Sequence, residues 1–143
     1  AAMDMQLLSN SHAVIERGQA KLVVAGIPDR SAGRNGFAAP DLRVALADAP
    51  DAAPVILLDH QPMQARQAAE AGVALQLSGH THGGMIRGMD RLLARANNGF
   101  VSGLYQVGPM QLYVNNGTAL WPGFALRLGR PAELTRITLR RKG

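Results

Sequence analysis

Apolar residues in this chain gather into short runs whose period changes along the sequence. Pro54-Val55-Ile56-Leu57-Leu58 is continuously apolar, the pattern of a strand covered on both faces. Residues 63–71 follow as an alanine- and glutamine-rich helix stopped by Gly72, and residues 73–77 form a second strand. Strand, helix and strand in so short a stretch predict a βαβ unit with a parallel pair. Upstream, residues 5–8 are apolar and end in the turn-like Ser9-Asn10-Ser11. Residues 13–16 and 21–27 are β-rich and are split by Arg17-Gly18-Gln19, which reads as a hairpin. Residues 28–40 read as a loop, and Asp41 is placed to cap a short helix running to about Ala47. Downstream, residues 89–96 predict a short helix. Residues 100–107 and 110–115 predict a hairpin about Gly108-Pro109, and residues 125–128 and 134–140 two more strands. The fold class expected is α/β, a βαβ unit plus antiparallel strands.

At 143 residues the chain suits one small domain with enough apolar residues for a core. It has no cysteine, which excludes disulfides, thiolate metal sites and cysteine nucleophiles. No apolar run approaches the roughly 20 residues of a membrane span, and the first residues do not resemble a signal peptide. The opening Ala1-Ala2-Met3 reads as an internal start or an expression remnant, so localisation is left unassigned. The net charge of +5 rests on arginine, since Lys21 and Lys142 are the only lysines. Arginine suits phosphate and carboxylate partners, although a solvated surface is the favoured reading. With six aromatic residues in total and no basic run interleaved with them, no nucleic-acid partner is expected.

The chemistry concentrates in Ser78-Gly79-His80-Thr81-His82-Gly83-Gly84, which holds two of the four histidines. Neutral imidazole is the commonest protein ligand of transition metals. Glycines on either side let the backbone turn sharply. His60 directly follows the first βαβ strand, and His80 and His82 directly follow the second. Parallel strands end side by side, at the edge where open α/β sheets bind ligands. His60, His80 and His82 are therefore the candidate metal ligands, and three imidazoles can complete a mononuclear site with an open position. His12, alone on an early strand, reads as structural. Asp59 is equally a residue that orients His60 and a solvent-facing strand end.

The run Gly79 to Gly84, preceded by Leu57-Leu58-Asp59-His60-Gln61-Pro62, resembles the calcineurin-like metallophosphoesterase superfamily. Tyr113-Val114-Asn115-Asn116-Gly117, followed by Arg127-Leu128-Gly129-Arg130-Pro131-Ala132-Glu133-Leu134, is similar to its bacterial branch whose members often follow membrane anchors. The resemblance implies that His60 and His80 are ligands of one metal and His82 of another, in a centre of two divalent ions (manganese, iron or zinc). The family's Asp-x-His, Gly-Asp-x-x-Asp and Gly-Asn-His motifs are absent; Asp29 and Asp41 stand in other contexts, and His12 is not preceded by Gly-Asn. Residues 1–143 thus resemble the C-terminal part of one metallophosphoesterase domain, a portion of a two-sheet αββα sandwich contributing to both sheets.

The implied function is metal-dependent hydrolysis of phosphomonoesters or phosphodiesters, with this piece alone inactive. The alternative is a truncated or split non-catalytic module that binds a partner through its exposed sheet. Expected partners are a phosphoester substrate and either an N-terminal half or a second copy, with membrane association through a preceding segment. Gly83 and Gly84 would leave room for phosphate. Arg127 is a candidate phosphate contact, although pairing with Glu133 is favoured. Asn115 and Asn116 are candidates to line the pocket, and strand-end turn chemistry explains them as well.

Overall fold

Gly18, with φ of 59°, reverses the chain between β1 (Ser11–Arg17) and β2 (Ala20–Gly26). The two strands pair antiparallel from Ser11 opposite Gly26 to Arg17 opposite Ala20. This hairpin is the first feature of a computed structural model that describes residues 5–120, 123 and 126–140. β3 (Val55–Leu58) and β4 (Leu75–Ser78) pair in parallel, joined by a 3₁₀ turn begun by Pro62 and by α2 (Ala65–Glu70). The βαβ unit read from the apolar periodicity is present.

β2 pairs in parallel with β3, and β4 with β6 (Met110–Val114); β5 (Gly103–Val107) closes the sheet antiparallel to β6. The spatial order is β1-β2-β3-β4-β6-β5. Two short helices lie in the connections. In α1 (Leu42–Ala45) the Asp41 carboxylate accepts from the backbone N–H groups of Arg43 and Val44, the expected cap. α3 (Asp90–Ala96) follows the histidine loop. Among the described residues no helix is long and apolar enough to cross a membrane.

The register aligns Ala25, Leu57, Gln76 and Leu112 across one face, and the α2 residues Ala65 and Ala68 pack there with Val73 and Phe100. The opposite face carries the row Leu58, Leu77, Tyr113 and Leu104. Leu58 is 41% and Leu104 63% exposed, so the continuous apolar run of β3 is covered on one face and only partly on the other. What cover there is comes from the C-terminal segment: Thr135 and Ile137 share a cavity with Leu58, Leu77 and Tyr113, and Leu139 one with Leu22 and Pro54.

This arrangement corrects the two C-terminal strands. Residues 134–140 join no ladder, and the alternate positions 135, 137 and 139 line cavities together with residues of the sheet. A segment lying across a face has no row of free N–H and C=O groups beside it, unlike one at an edge. Ala125 of the other expected strand lies outside the described residues, as do Arg141 and Lys142 of the basic tail; Leu128 makes one parallel bridge to Ile86. The described residues therefore form one mixed sheet and not parts of two.

The parallel run β2, β3, β4 and β6 has a direct consequence. All four strands deliver their following residues to one edge, and the backbone bonds Ile27 N to Leu58 O, Gly79 N to His60 O and Asn115 N to Ser78 O hold the loops in line. Gly26, the last residue of β2, has no space for a side chain: a Cβ there would lie 2.7 Å from both the Leu8 Cβ and the Leu8 carbonyl oxygen. Gly26→Ala should cost about 1–3 kcal/mol of unfolding free energy, read as a lowered urea midpoint. An unchanged midpoint would contradict the close packing of residue 8 on this edge.

Candidate metal centre

At the C-terminal edge, His60 after β3 and His80 after β4 come together with ring centres 5.1 Å apart and planes at 82°. Two imidazoles sharing one tetrahedral ion at about 2.1 Å would hold their ring centres roughly 5 Å apart. The observed 5.1 Å matches that spacing. Partial burial and then the nearby charge of His60 hold His80 below the ordinary imidazole pKa, against the opposing pull of Asp29. A neutral imidazole is the form that ligates.

His82 is placed differently. An Arg127 guanidinium nitrogen lies 3.3 Å from its Nδ1, and a guanidinium can only donate, so that ring nitrogen acts as an acceptor. Burial first, then the Arg127 charge, push the His82 pKa down. Among the described residues no three histidine, aspartate or glutamate side chains converge at metal-binding range. The structure therefore brings two of the three predicted ligands together and turns the third toward Arg127.

The loop carrying them is bent hard. His80, His82 and Met85 all have positive φ, at 71°, 49° and 58°, a region that non-glycine residues rarely adopt without surrounding structure to enforce it. The enforcement is visible. The Thr81 hydroxyl donates to the Val101 carbonyl, and Gly84 N–H bonds to Thr81 O. Gly83 and Gly84 are required by the chain's own packing: a Cβ at Gly83 would lie 2.3 Å from the Asn116 Oδ1, and one at Gly84 3.0 Å from Asp90. Asn116 and Asp90 occupy the positions that a side chain at these glycines would take.

Asp59 is not a solvent-facing strand end; it is 2% exposed. Its carboxylate accepts from Gln76 Nε2 and Gln61 N–H, both at 3.2 Å, and its carbonyl accepts from the Ser78 hydroxyl at 2.7 Å. Gln76 Nε2 also donates to the Ser78 hydroxyl oxygen, which ties the ends of β3 and β4 together under the two histidines. Burial pushes the Asp59 carboxyl up to about 6.

Arg127 does not pair with Glu133, which corrects the pairing favoured from sequence. Its guanidinium donates to the carbonyls of Asn116, Gly117 and Ala119 as well as approaching His82. Glu133 instead accepts from the Tyr113 hydroxyl, the Thr135 hydroxyl and the Asn116 N–H. Asn115 makes a turn, its Oδ1 accepting from Gly117 N–H at 2.6 Å while its Nδ2 donates to Thr135. Two residues at this edge escaped the sequence reading as site residues, Asp29 and Glu133. Asp29, delivered by β2, accepts from Gln61 Nε2 at 3.0 Å. Burial raises its pKa, but the bonds from Ser31 and Gln61 and the charge of His60 outweigh it and hold the carboxyl low. Asn116 fills the space above Gly83, and Glu133 clamps the strand end. The parallel alignment of β2 with β3 was the signal for Asp29; nothing local marked the contacts that Glu133 makes.

The chain is similar to curated proteins that carry a metallophosphoesterase name. An uncharacterized metallophosphoesterase of Campylobacter jejuni is 38% identical over 120 residues, covering 83% of this chain and 32% of its own length. A transmembrane protein with metallophosphoesterase domain from Danio rerio is 35% identical over 97% of this chain and 33% of its own length. An uncharacterized metallophosphoesterase of Helicobacter pylori (strain J99) is 36% identical over 96% of this chain and 36% of its own. The chain spans about a third of the length of these relatives. No family model matches it.

The Asp59 placement predicts a pH effect on the metal-free chain. A carboxyl that titrates near 6 when folded and near about 3.9 when unfolded lets the folded state bind more protons between those values. Stability is then full below about pH 4, falls through pH 6, and loses roughly 2–3 kcal/mol. Asp59→Asn should flatten that part of the profile, measured by urea unfolding at pH 4 to 7. An equal slope in both proteins would contradict a buried, neutral Asp59.

Proposed function

We infer that this chain, which belongs to the calcineurin-like metallophosphoesterase superfamily, supplies one wall of a metal-dependent phosphoester hydrolase. The family name implies divalent metal ions. The observation that carries the reading is the His60–His80 pair, two imidazoles crossed at 5.1 Å on a rigid sheet edge. His60 and His80 would hold one ion between them. His82 would join a second ion once its Nδ1 contact with Arg127 is exchanged. Manganese, iron and zinc all suit imidazole with oxygen donors. Such ions polarise phosphoryl oxygens and make hydroxide available near neutral pH.

The chain's own residues contribute positioning. Asp59, Gln76 and Ser78 fix the strand ends from which both histidines project, and the Thr81 bond to Val101 holds the strained loop in place. Arg127 places a positive charge beside His82 with carbonyls as its partners and no carboxylate among the described residues. That uncompensated charge favours an anionic substrate such as a phosphoester. Two imidazoles without a bridging carboxylate bind metal weakly, so hydrolysis by these residues alone is negligible. The half-exposed row Leu58 to Leu104 supports a second reading, a module that associates through this face with a second copy or another segment.

His80→Ala should weaken binding of zinc or manganese by tenfold or more in titration calorimetry, and unchanged affinity would remove the pair as the site. The unsubstituted chain should hydrolyse an aryl phosphate no faster than buffer. Manganese-dependent turnover that survives purification from host phosphatases would contradict the assignment of a one-walled site.

A further inference from the structure

β1 is the outer strand of the sheet, with β2 as its one neighbour. The direction of its free backbone groups follows from that neighbour. The Val23 N–H donates to the Pro54 carbonyl just before β3, so Val23 turns its backbone groups away from β1. Val14 stands opposite Val23, and that pair therefore exchanges no bonds. By the alternation of an antiparallel ladder, His12, Val14 and Glu16 aim their N–H and C=O groups at the open edge. Among the described residues nothing bonds to those backbone groups.

Proteins blunt such edges with proline, lysine, bulges or short strands. β1 has none of these over its seven residues, and its pairing with β2 is uninterrupted. Ala13-Val14-Ile15 at its centre is apolar, with Val14 37% and Ile15 54% exposed. The opposite edge is shorter: β5 spans five residues and opens on Gly103, whose φ is 92°.

The sequence of β1 matches itself. Antiparallel edges bond only where outward groups meet outward groups. Against a second copy, one two-fold register uses all three outward residues: Val14 opposite Val14, and His12 opposite Glu16 on either side. Each of these pairs exchanges two backbone bonds. A slip of two residues in either direction loses one pair. The same register arranges the charges, since Arg17 faces Ser11 and no like charges stand opposite each other. The His12 Nδ1 donates to the Ala45 carbonyl at 2.8 Å, which leaves Nε2 available to a carboxylate. Glu16 bonds Lys21 through Oε1, and its Oε2 has no partner among the described residues. Bond count and charge thus select one register, and a second copy of β1 satisfies both.

We propose that β1 is a homodimer contact, in which two copies pair antiparallel about Val14 and their sheets join into one. The contact needs no metal and is separate from the face that carries Leu58 and Leu104. A contact confined to one strand edge is small, so the association is weak and reversible.

Sedimentation equilibrium from micromolar to millimolar chain should show a monomer–dimer equilibrium. Val14→Lys sets two ammonium groups side by side at the axis. It should weaken dimerisation at least tenfold and leave the thermal midpoint of the dilute chain unchanged. Leu104→Lys, on the sheet face, should leave dimerisation unchanged. The chain has no cysteine, so introduced ones report the register. Ala13 and Ile15 of the copy form a pair without backbone bonds, whose Cα atoms lie about 4.5 Å apart, within disulfide reach. Ala13→Cys chains mixed with Ile15→Cys chains should therefore cross-link to each other more than either does to itself. A chain that stays monomeric at millimolar concentration would overturn the proposal. So would loss of the dimer in Leu104→Lys, or cross-linking with no preference for the mixed pair.

Discussion

The parallel alignment of β2, β3, β4 and β6 is the constraint on which the rest depends. Parallel pairing forces every strand to end on the same side, so residues far apart in sequence arrive at one edge. His60, His80, Asp29 and Asn116 meet there without any local signal joining them. The antiparallel strands β1 and β5 flank the parallel strands on either side and contribute no residue to that edge's chemistry.

The edge is made rigid from below by polar groups in an otherwise apolar core. Gln76 occupies a position in the row Ala25, Leu57 and Leu112 where an aliphatic residue would pack as well. Its amide instead links Asp59 and Ser78, the residues just before His60 and Gly79. The Gln76 Oε1 is left buried without a partner, a cost of about 1–3 kcal/mol that an apolar residue would avoid. The strained backbone at His80, His82 and Met85 adds a further cost. Both costs fall within a few residues of the histidine pair.

Much of this was legible in the sequence because periodicity and punctuation agreed. The βαβ unit, both hairpins, the Asp41 cap and the α3 helix followed from apolar runs bounded by Gly18, Gly72 and Gly108. Meeting of His60 with His80 followed from topology. The rest depended on information that no window contains. The alternation in residues 134–140 is the same whether they pair at an edge or lie across a face, and here they lie across it. Arg127 and Glu133 are close in sequence and opposite in charge, yet each found other partners: carbonyls for one, Tyr113 and Asn116 for the other. Gly83 is also required by a contact no window shows, since Asn116 from a different loop stands where its side chain would be.

The central claim is that His60 and His80 share one ion while His82, held by Arg127, stands apart from it. X-ray absorption at the zinc edge, combined with an anomalous-difference map of zinc-soaked crystals of this chain, tests it directly. The account predicts one principal zinc peak between His60 and His80, with two imidazole nitrogens at about 2.0–2.1 Å and oxygen donors completing the shell. A principal peak on His82, or a spectrum with fewer than two imidazoles, would contradict it.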